Sequence, residues 1–368
     1  MIRIRAPGRI CLFGEHQDYL NYPTISMAIS KYIYLEAKRL DLPKFIINLP
    51  DVDERLEIQL NNKEIHYFSK RDYLRSSYNQ FIRKGFKFSK GYIIKITGDI
   101  PISAGAASSS ALVIAWLYFL SLINDTKSGI ELKSLALEGY NSEVNEFGEA
   151  GGMMDHFTST YGYINFLESE KIDAHVMNLK NKFEGFVLGN SFEKKDTVED
   201  IFKVKKISIK AFKIINKVMP NFDRFSSTFE EIEQFLPNLE NKYRKKIIGN
   251  IINRDITLMA KNLIFDQWIP PIKPKLQVKD LFYQKLGTLL NKHHEQLRDN
   301  IEISTQKIDN IITDCLEAGA YGAKINGSGF GGTMFALSPG NEQALKDSIE
   351  KNDAKAYVIK TSNGVELY

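Results

Sequence analysis

A run of small residues, Ser103-Ala104-Gly105-Ala106-Ala107-Ser108-Ser109-Ser110, lies between two apolar segments. Residues 92–96, Tyr-Ile-Ile-Lys-Ile, read as a strand, and residues 111–122 form an apolar run that reads as a buried helix. A loop of this kind opening a helix is an anion site, because the first N–H groups of the helix lack partners and its dipole favours negative charge. Gly105 among alanines lets the backbone approach a phosphate closely. A serine hydroxyl at the mouth can complete a Mg²⁺ shell shared with phosphate oxygens. Taken alone, a serine N-cap on a core helix fits the same residues. No Gly-Lys-Ser/Thr closes the run, so it is not a Walker A loop.

Three other clusters carry chemistry-bearing residues. In the first, Arg9 opens a short apolar strand at 10–13, Gly14 turns the chain, and Glu15, His16 and Asp18 follow at once. Two carboxylates and an imidazole on one turn can grip several hydroxyls, since carboxylates accept strong, directional bonds. Arg9 can offset charge building on a transferring group. A surface turn with ordinary charges is the alternative. In the second, Glu143 precedes residues 151–156, Gly-Gly-Met-Met-Asp-His. Glu143 and Asp155 can supply a metal ligand and a catalytic carboxylate, whereas an aspartate capping a helix start would look alike. The third, residues 319–332, is glycine-rich and runs into an apolar strand at 333–337 rather than a helix, which argues against a dinucleotide fingerprint. A glycine hairpin whose backbone crowds a phosphate or another loop fits it better.

The elements that must position these clusters are mixed. Residues 1–165 read as α/β, with strands at 2–5, 30–38, 44–49, 56–59 and 92–97, an amphipathic helix at 73–84, and a helix at 132–146 ended by glycines 148–152. Residues 205–220 and 225–260 read as helices, and Pro270-Pro271-Ile272-Lys273-Pro274 as a rigid connector. Helices at 280–299 and 304–318 follow, then strands and a helix at 323–326, 333–337, 342–351 and 356–359. The basic run Lys242-Tyr243-Arg244-Lys245-Lys246 reads as a solvated helix face, because no nucleic-acid motif accompanies it.

A chain of 368 residues suggests two domains. Hydrophobic content of 43% and charged content of 26% fit a soluble globular protein. The net charge of +4 permits anionic ligands without calling for nucleic acid. Two cysteines, Cys11 and Cys315, argue against a disulfide framework or zinc site and suit a reducing compartment. The first residues alternate like a strand rather than a signal peptide, and the apolar run 111–123 is too short to span a bilayer. The expected location is the cytoplasm, with no membrane or nucleic-acid partner.

Three of these motifs, in this order, resemble the GHMP kinase superfamily, which includes galactokinase, homoserine kinase, mevalonate kinase and phosphomevalonate kinase. Within it the sequence is most similar to galactokinase-like sugar kinases. Gly8-Arg9 with Gly14-Glu15-His16-Gln17-Asp18-Tyr19 resembles their sugar signature, residues 290–299 their helix before the third motif, and Asn326-Gly-Ser-Gly-Phe-Gly-Gly332 the third motif itself. The serine loop departs from the usual Gly-x-Gly-Leu-Ser/Gly-Ser, and residues 20–25 lack a following Gly-Gly. Residues 185–215 hold no clear counterpart of the Tyr-Asn-Arg-Arg-like segment that completes the galactokinase sugar pocket.

The resemblance implies an α+β protein of two domains: residues 1–185 with a ribosomal-protein-S5-domain-2-like fold, and 186–368 with a ferredoxin-like fold. ATP and a sugar would bind between them, with Mg²⁺. By resemblance, Gly105, Ala106, Ala107, Ser108, Ser109 and Ser110 cradle the phosphates. Ser109 and Glu143 hold the metal, with Glu146 and Glu149 as competitors for it. Asp155 takes or orients the proton of the attacking hydroxyl, Arg9 stabilises the transferring phosphoryl, Glu15, His16 and Asp18 bind sugar hydroxyls, and 327–332 shape the phosphate end. The acceptor is expected to be the anomeric hydroxyl of galactose or a related hexose. A mevalonate-type alcohol kinase and a non-catalytic ATP- and sugar-binding sensor are the rival readings.

Overall fold

The computed structural model describes residues 1–102, 104–126, 129–170, 173–193, 197–266 and 276–368. Ser103 and the proline connector at 270–274 lie outside the described residues. The strands are β1 (Ile2–Phe13), β2 (Thr24–Leu40), β3 (Lys44–Leu49), β4 (Glu54–Gln59), β5 (Gly91–Gly98), β6 (Ile164–Ser169), β7 (Ala174–Leu179), β8 (Phe186–Asn190), β9 (Gly322–Asn326), β10 (Thr333–Leu337), β11 (Lys355–Ile359) and β12 (Glu366–Leu367).

β1 joins the two short strands expected, at 2–5 and 10–13, into one. Ala6-Pro7-Gly8 reads as a break, yet the strand continues through it by a register shift between Pro7 and Arg9 against β2. Such an irregularity lets a strand carry a proline and a glycine. β1 pairs antiparallel with β2 from Ile2↔Ala37 to Phe13↔Ile25. The first sheet has the order β12-β1-β2-β5-β3-β4, with β6 on the other half of β2 and β7 beyond it. All its pairs are antiparallel except β3 with β5.

Four helices accompany this sheet: α1 (Tyr73–Arg83), α2 (Ser108–Ile123), α3 (Leu132–Tyr140) and α4 (Met154–Tyr161). α2 is apolar on nearly every side, and such a helix is stable only when enclosed. Its Trp116, Phe119 and Leu120 are fully buried, and the Trp116 indole donates to the Leu74 carbonyl at 2.9 Å.

The second half is largely helical: α5 (Thr197–Val218), α6 (Phe229–Glu233), α7 (Asn241–Lys261), α8 (Leu276–Asp299), α9 (Gln306–Glu317) and α10 (Glu342–Glu350). The expected helix over 225–260 is broken. A capping box of Thr228 and Glu231 opens α6, and Pro237 sits in a 3₁₀ turn before α7. The basic run is not a solvated face throughout. The Lys246 ammonium is buried and donates to the carbonyls of Asn300 and Ile301 and to Glu302, at 2.9, 2.8 and 2.9 Å.

The second sheet is antiparallel with the order β11-β8-β10-β9. Taken as β8, helices, β9, β10, α10, β11, it is the ferredoxin-like arrangement expected. Beyond β11 the chain crosses back: Thr361 bridges Ile29, and β12 pairs with β1. The architecture is the two-sheet α+β fold anticipated. Among the described residues no helix is long and apolar enough to cross a membrane.

Candidate active site

A cavity of about 380 Å³ opens where the sequence motifs meet, lined by Arg9, Glu15, His16, Asp18, Gly105, Ala107 to Ser110, Glu143, Asp155 and Gly327. Of the predicted loop residues, Ala106 alone does not line it. Its carbonyl accepts the Arg9 backbone N–H at 3.1 Å, and a Cβ on Gly8 would come within 2.7 Å of the same oxygen. Ala106 is therefore a packing residue beneath the loop.

The serine loop is not a serine-capped helix start. α2 begins at Ser108, its N-cap is Ala107 in the left-handed region with φ 62°, and no side chain caps it. The serine hydroxyls are left for other partners. Positive φ at a non-glycine residue costs about 1 kcal/mol or more, and such residues cluster at ligand sites.

Glu143 sits where the expected helix over 132–146 changes pitch. α3 ends at Tyr140 and a π-helical turn, Asn141–Asn145, carries Glu143 inward. Such bulges recur at functional sites because they re-aim one side chain. His156 Nε2 donates to Glu143 Oε2 at 2.7 Å, in a buried setting. Burial alone would raise the Glu143 carboxyl, but bonds from His156 and from the Ser109 and Ser110 hydroxyls outweigh it, so the carboxyl is held below its ordinary value. Of the competing glutamates, Glu146 is held by Arg83, Tyr67 and Gln80 and does not line the cavity. Glu149 lines it but is gripped by Arg71 at 2.8 and 3.1 Å.

Arg9 is buried, and its Nε and Nη2 donate to Asp155 Oδ1 and Oδ2 at 2.7 and 2.9 Å. Its Nη1 donates to the Gly105 carbonyl. Burial opposes the guanidinium charge, but Asp155 more than compensates, and the group stays firmly protonated. Asp155 lies inside the first turn of α4, whose N-cap is Met153 without a side-chain cap bond. It is not a capping residue.

Asp18 faces Gly152 so closely that a Cβ there would lie 2.2 Å from its Oδ2. Its carboxyl is pushed up to about 6, first by burial and then by the charge of Asp155, against bonding from Tyr19 N–H. Glu15 and His16 are less free than their sequence suggests. Glu15 is ion-paired with the buried Lys324, and His16 bonds Tyr19 Oη at 2.7 Å and the Ser328 carbonyl at 2.9 Å. Of the third motif, Gly327 presses on the loop, where a Cβ would lie 2.5 Å from the Gly105 carbonyl oxygen. Gly329 and Gly331 pack instead on Ile303 and Glu193. Asn326 ties the motifs together: its Oδ1 accepts Cys11 N–H at 2.9 Å and its Nδ2 donates to the Gly105 carbonyl at 3.0 Å.

Sequence reading gave no role to Lys324, His293, the His156 contact, or Ile201, which lines the cavity from α5. The glycine-rich and acidic signals around them drew attention to neighbours. Nothing in a spacing of 309 residues couples Lys324 to Glu15. The lining also includes an apolar group, Ile33, Leu49, Val52, Ile96 and Leu112. Among the described residues no cluster of three or more His, Cys, Asp or Glu could hold a metal. A Mg²⁺ that takes most of its oxygens from phosphates and water needs only one or two protein ligands, and Glu143 with Ser109 fits that donor set.

Comparison with known proteins supplies further findings. Residues 2–39 match the galactokinase galactose-binding signature, 72–163 the GHMP kinases N terminal domain, and 278–355 the GHMP kinases C terminal domain. The chain is 27% identical over 381 aligned residues to a protein named galactokinase from Thermotoga petrophila, covering 99% of each. Its fold is similar to Lactococcus lactis galactokinase complexed with galactose, with a TM-score of 0.82, 20% identity, and coverage of 100% of this chain and 95% of that one. It is also similar to Methanococcus jannaschii mevalonate kinase, with a TM-score of 0.73, 22% identity and 98% of each chain covered.

Proposed function

We propose that this chain, which is a galactokinase-like GHMP kinase, transfers the γ-phosphoryl group of ATP to the anomeric hydroxyl of galactose. The observation that carries the reading is the Arg9–Asp155 pair at the mouth of the serine loop, inside one cavity whose lining holds both an apolar group and several carboxylates. The apolar lining suits a nucleotide base, the loop its phosphates, and the carboxylates a polyol.

In this reading Ser108, Ser109 and Ser110 meet the β- and γ-phosphates with the free N–H groups of α2, where the helix dipole favours anions. Ser109 and Glu143 would hold Mg²⁺, which neutralises charge on the phosphate oxygens. His156 keeps Glu143 oriented. The sugar hydroxyl lies against Asp155, which takes its proton or orients it. As the sugar oxygen bonds to the γ-phosphorus, the bond to the ADP oxygen breaks. Arg9 touches both Asp155 and the loop, so its charge is already placed where negative charge is shared in the transition state. Asp18 and Glu15 accept sugar hydroxyls, and Gly152 leaves room beside Asp18. ATP as substrate and two buried free thiols support a cytoplasmic setting.

The galactose-binding signature over 2–39 favours a sugar over mevalonate. The retention of Arg9, Ser109, Glu143 and Asp155 around one cavity favours catalysis over sensing. The test is a panel of free hexoses and mevalonate with ATP and Mg²⁺, read by ADP release and by NMR of the product. Galactose 1-phosphate is the expected product. Turnover of mevalonate with none of any sugar overturns the reading.

A further inference from the structure

Lys324, Glu15 and His293 come from β9, the loop after β1, and α8, and their side chains are 0%, 1% and 0% exposed. The Lys324 ammonium has three protons and three acceptors: the carbonyls of Cys11 and Ile325, each at 3.0 Å, and Glu15 Oε1. The lysine is thus immobile, and it fixes one oxygen of the glutamate. His293 Nε2 accepts the Gly14 N–H at 3.1 Å, so this nitrogen carries no proton. Burial and the Lys324 charge hold the imidazole well below its ordinary value, so the ring is neutral and its proton is on Nδ1. His293 Nδ1 lies 3.7 Å from Glu15 Oε2, and neither atom has a hydrogen-bond partner. A buried carboxylate oxygen without a partner is costly and calls for an occupant. Glu15 lines the cavity, so an occupant would approach from that side.

Resting on the proposed function, we propose that Lys324 and His293 are positioning residues that hold the Glu15 carboxylate in one orientation, with the unpartnered Oε2 kept as the acceptor for a single substrate hydroxyl. Lys324 locks the inner oxygen. His293 stands beside Oε2 and limits how far that oxygen can turn back into the protein. A glutamate with free rotation about its last bond would offer either oxygen to any hydroxyl in reach. A glutamate pinned on one side selects one position of the ring, and a site built for one hydroxyl rejects the analogue lacking it.

The test uses the full chain with galactose and its monodeoxy analogues, comparing wild type with Lys324→Met, His293→Leu and His293→Gln. Lys324→Met and His293→Leu are expected to raise KM for galactose about 10- to 100-fold, with KM for ATP within about twofold of wild type. For the one deoxy analogue that lacks the hydroxyl held by Glu15, the penalty should vanish. His293→Gln, which can still accept from Gly14 and keeps a donor beside Glu15, should recover most of the affinity. Should Lys324→Met fail to fold, the histidine pair carries the test alone. ¹⁵N NMR of labelled histidine should show His293 neutral with the proton on Nδ1 between pH 5 and 8, shifting when galactose binds. A penalty that is equal across the deoxy series overturns the positioning role. An enzyme that phosphorylates no hexose overturns the functional reading, and this inference with it.

Discussion

Arg9 grips both oxygens of Asp155, at 2.7 and 2.9 Å, while its remaining arm reaches the Gly105 carbonyl. The fork needs a planar group with donors on two edges, which a lysine ammonium cannot reproduce. Arg9→Lys is therefore expected to lower kcat by about 10²-fold or more, with a smaller change in KM for ATP. Steady-state kinetics with both substrates varied checks this. An effect confined to KM for ATP would show that Arg9 serves ground-state binding.

Asp155→Asn keeps the shape of the side chain and removes its charge and basicity. The expected loss in single-turnover rate is about 10²- to 10⁴-fold, with sugar binding still measurable by calorimetry. Its melting temperature should fall, because the buried Arg9 loses its counter-charge and not because a helix cap is lost. Wild-type turnover in this variant would remove Asp155 from the chemistry.

Asp18 gives the site a pH signature. Its carboxyl is raised from the ordinary 3.8 to about 6 by burial and by Asp155. If ionised Asp18 accepts a sugar hydroxyl, KM for galactose rises as pH falls through about 6, and Asp18→Asn abolishes the inflection while keeping KM high. For stability the sign is opposite. A raised carboxyl favours the folded state in full below the unfolded value, and that contribution is lost as pH rises through about 6. Above pH 6, Asp18→Asn should stabilise the fold, by on the order of 1–3 kcal/mol, and the gain should disappear below about pH 4. Denaturant titrations at pH 4 and 8 test this, and a KM flat between pH 5 and 8 contradicts the binding role.

Glu143→Gln and Ser109→Ala address the metal. Each is expected to weaken the apparent Mg²⁺ dependence by about 10- to 100-fold. Mn²⁺ binding followed by electron paramagnetic resonance, in the presence of nucleotide, gives a readout independent of turnover. If both variants bind the ion as wild type does, the assignment is wrong.

Gly152→Ala places a methyl 2.2 Å from the Asp18 carboxylate. One of the two must move, and Asp18 is the freer. The expected result is a KM for galactose raised about 10-fold or more, with KM for ATP unchanged. Equal effects on both substrates would mean the glycine serves the loop as a whole.

Much of this site is written in short stretches of sequence, because its parts sit on single turns: Glu15 to Asp18, Gly105 to Ser110, and Gly151 to Asp155. The strands from 164 to 190 were not legible. β6, β7 and β8 are short and are separated by charged stretches, so no alternation lasts long enough to stand out. β1 reads in the sequence as two short strands, since a proline and a glycine between them imply an end unless the partner strand can slip to accommodate them. The long-range pairs, Lys324 with Glu15 and Asn326 with Cys11, were invisible for a different reason. They exist only once two sheets are brought edge to edge.

The Gly105 carbonyl is held by Arg9 from the first sheet and by Asn326 from the second, and Gly327 leaves no gap behind it. That oxygen is a rivet through both halves of the molecule. If the halves rock to admit and release nucleotide, the axis of rocking must run close to the rivet, and the greatest travel falls on the parts farthest from it. The phosphate loop then behaves as a fulcrum, and the search for a moving lid belongs at the helices around the cavity mouth, not at the glycines.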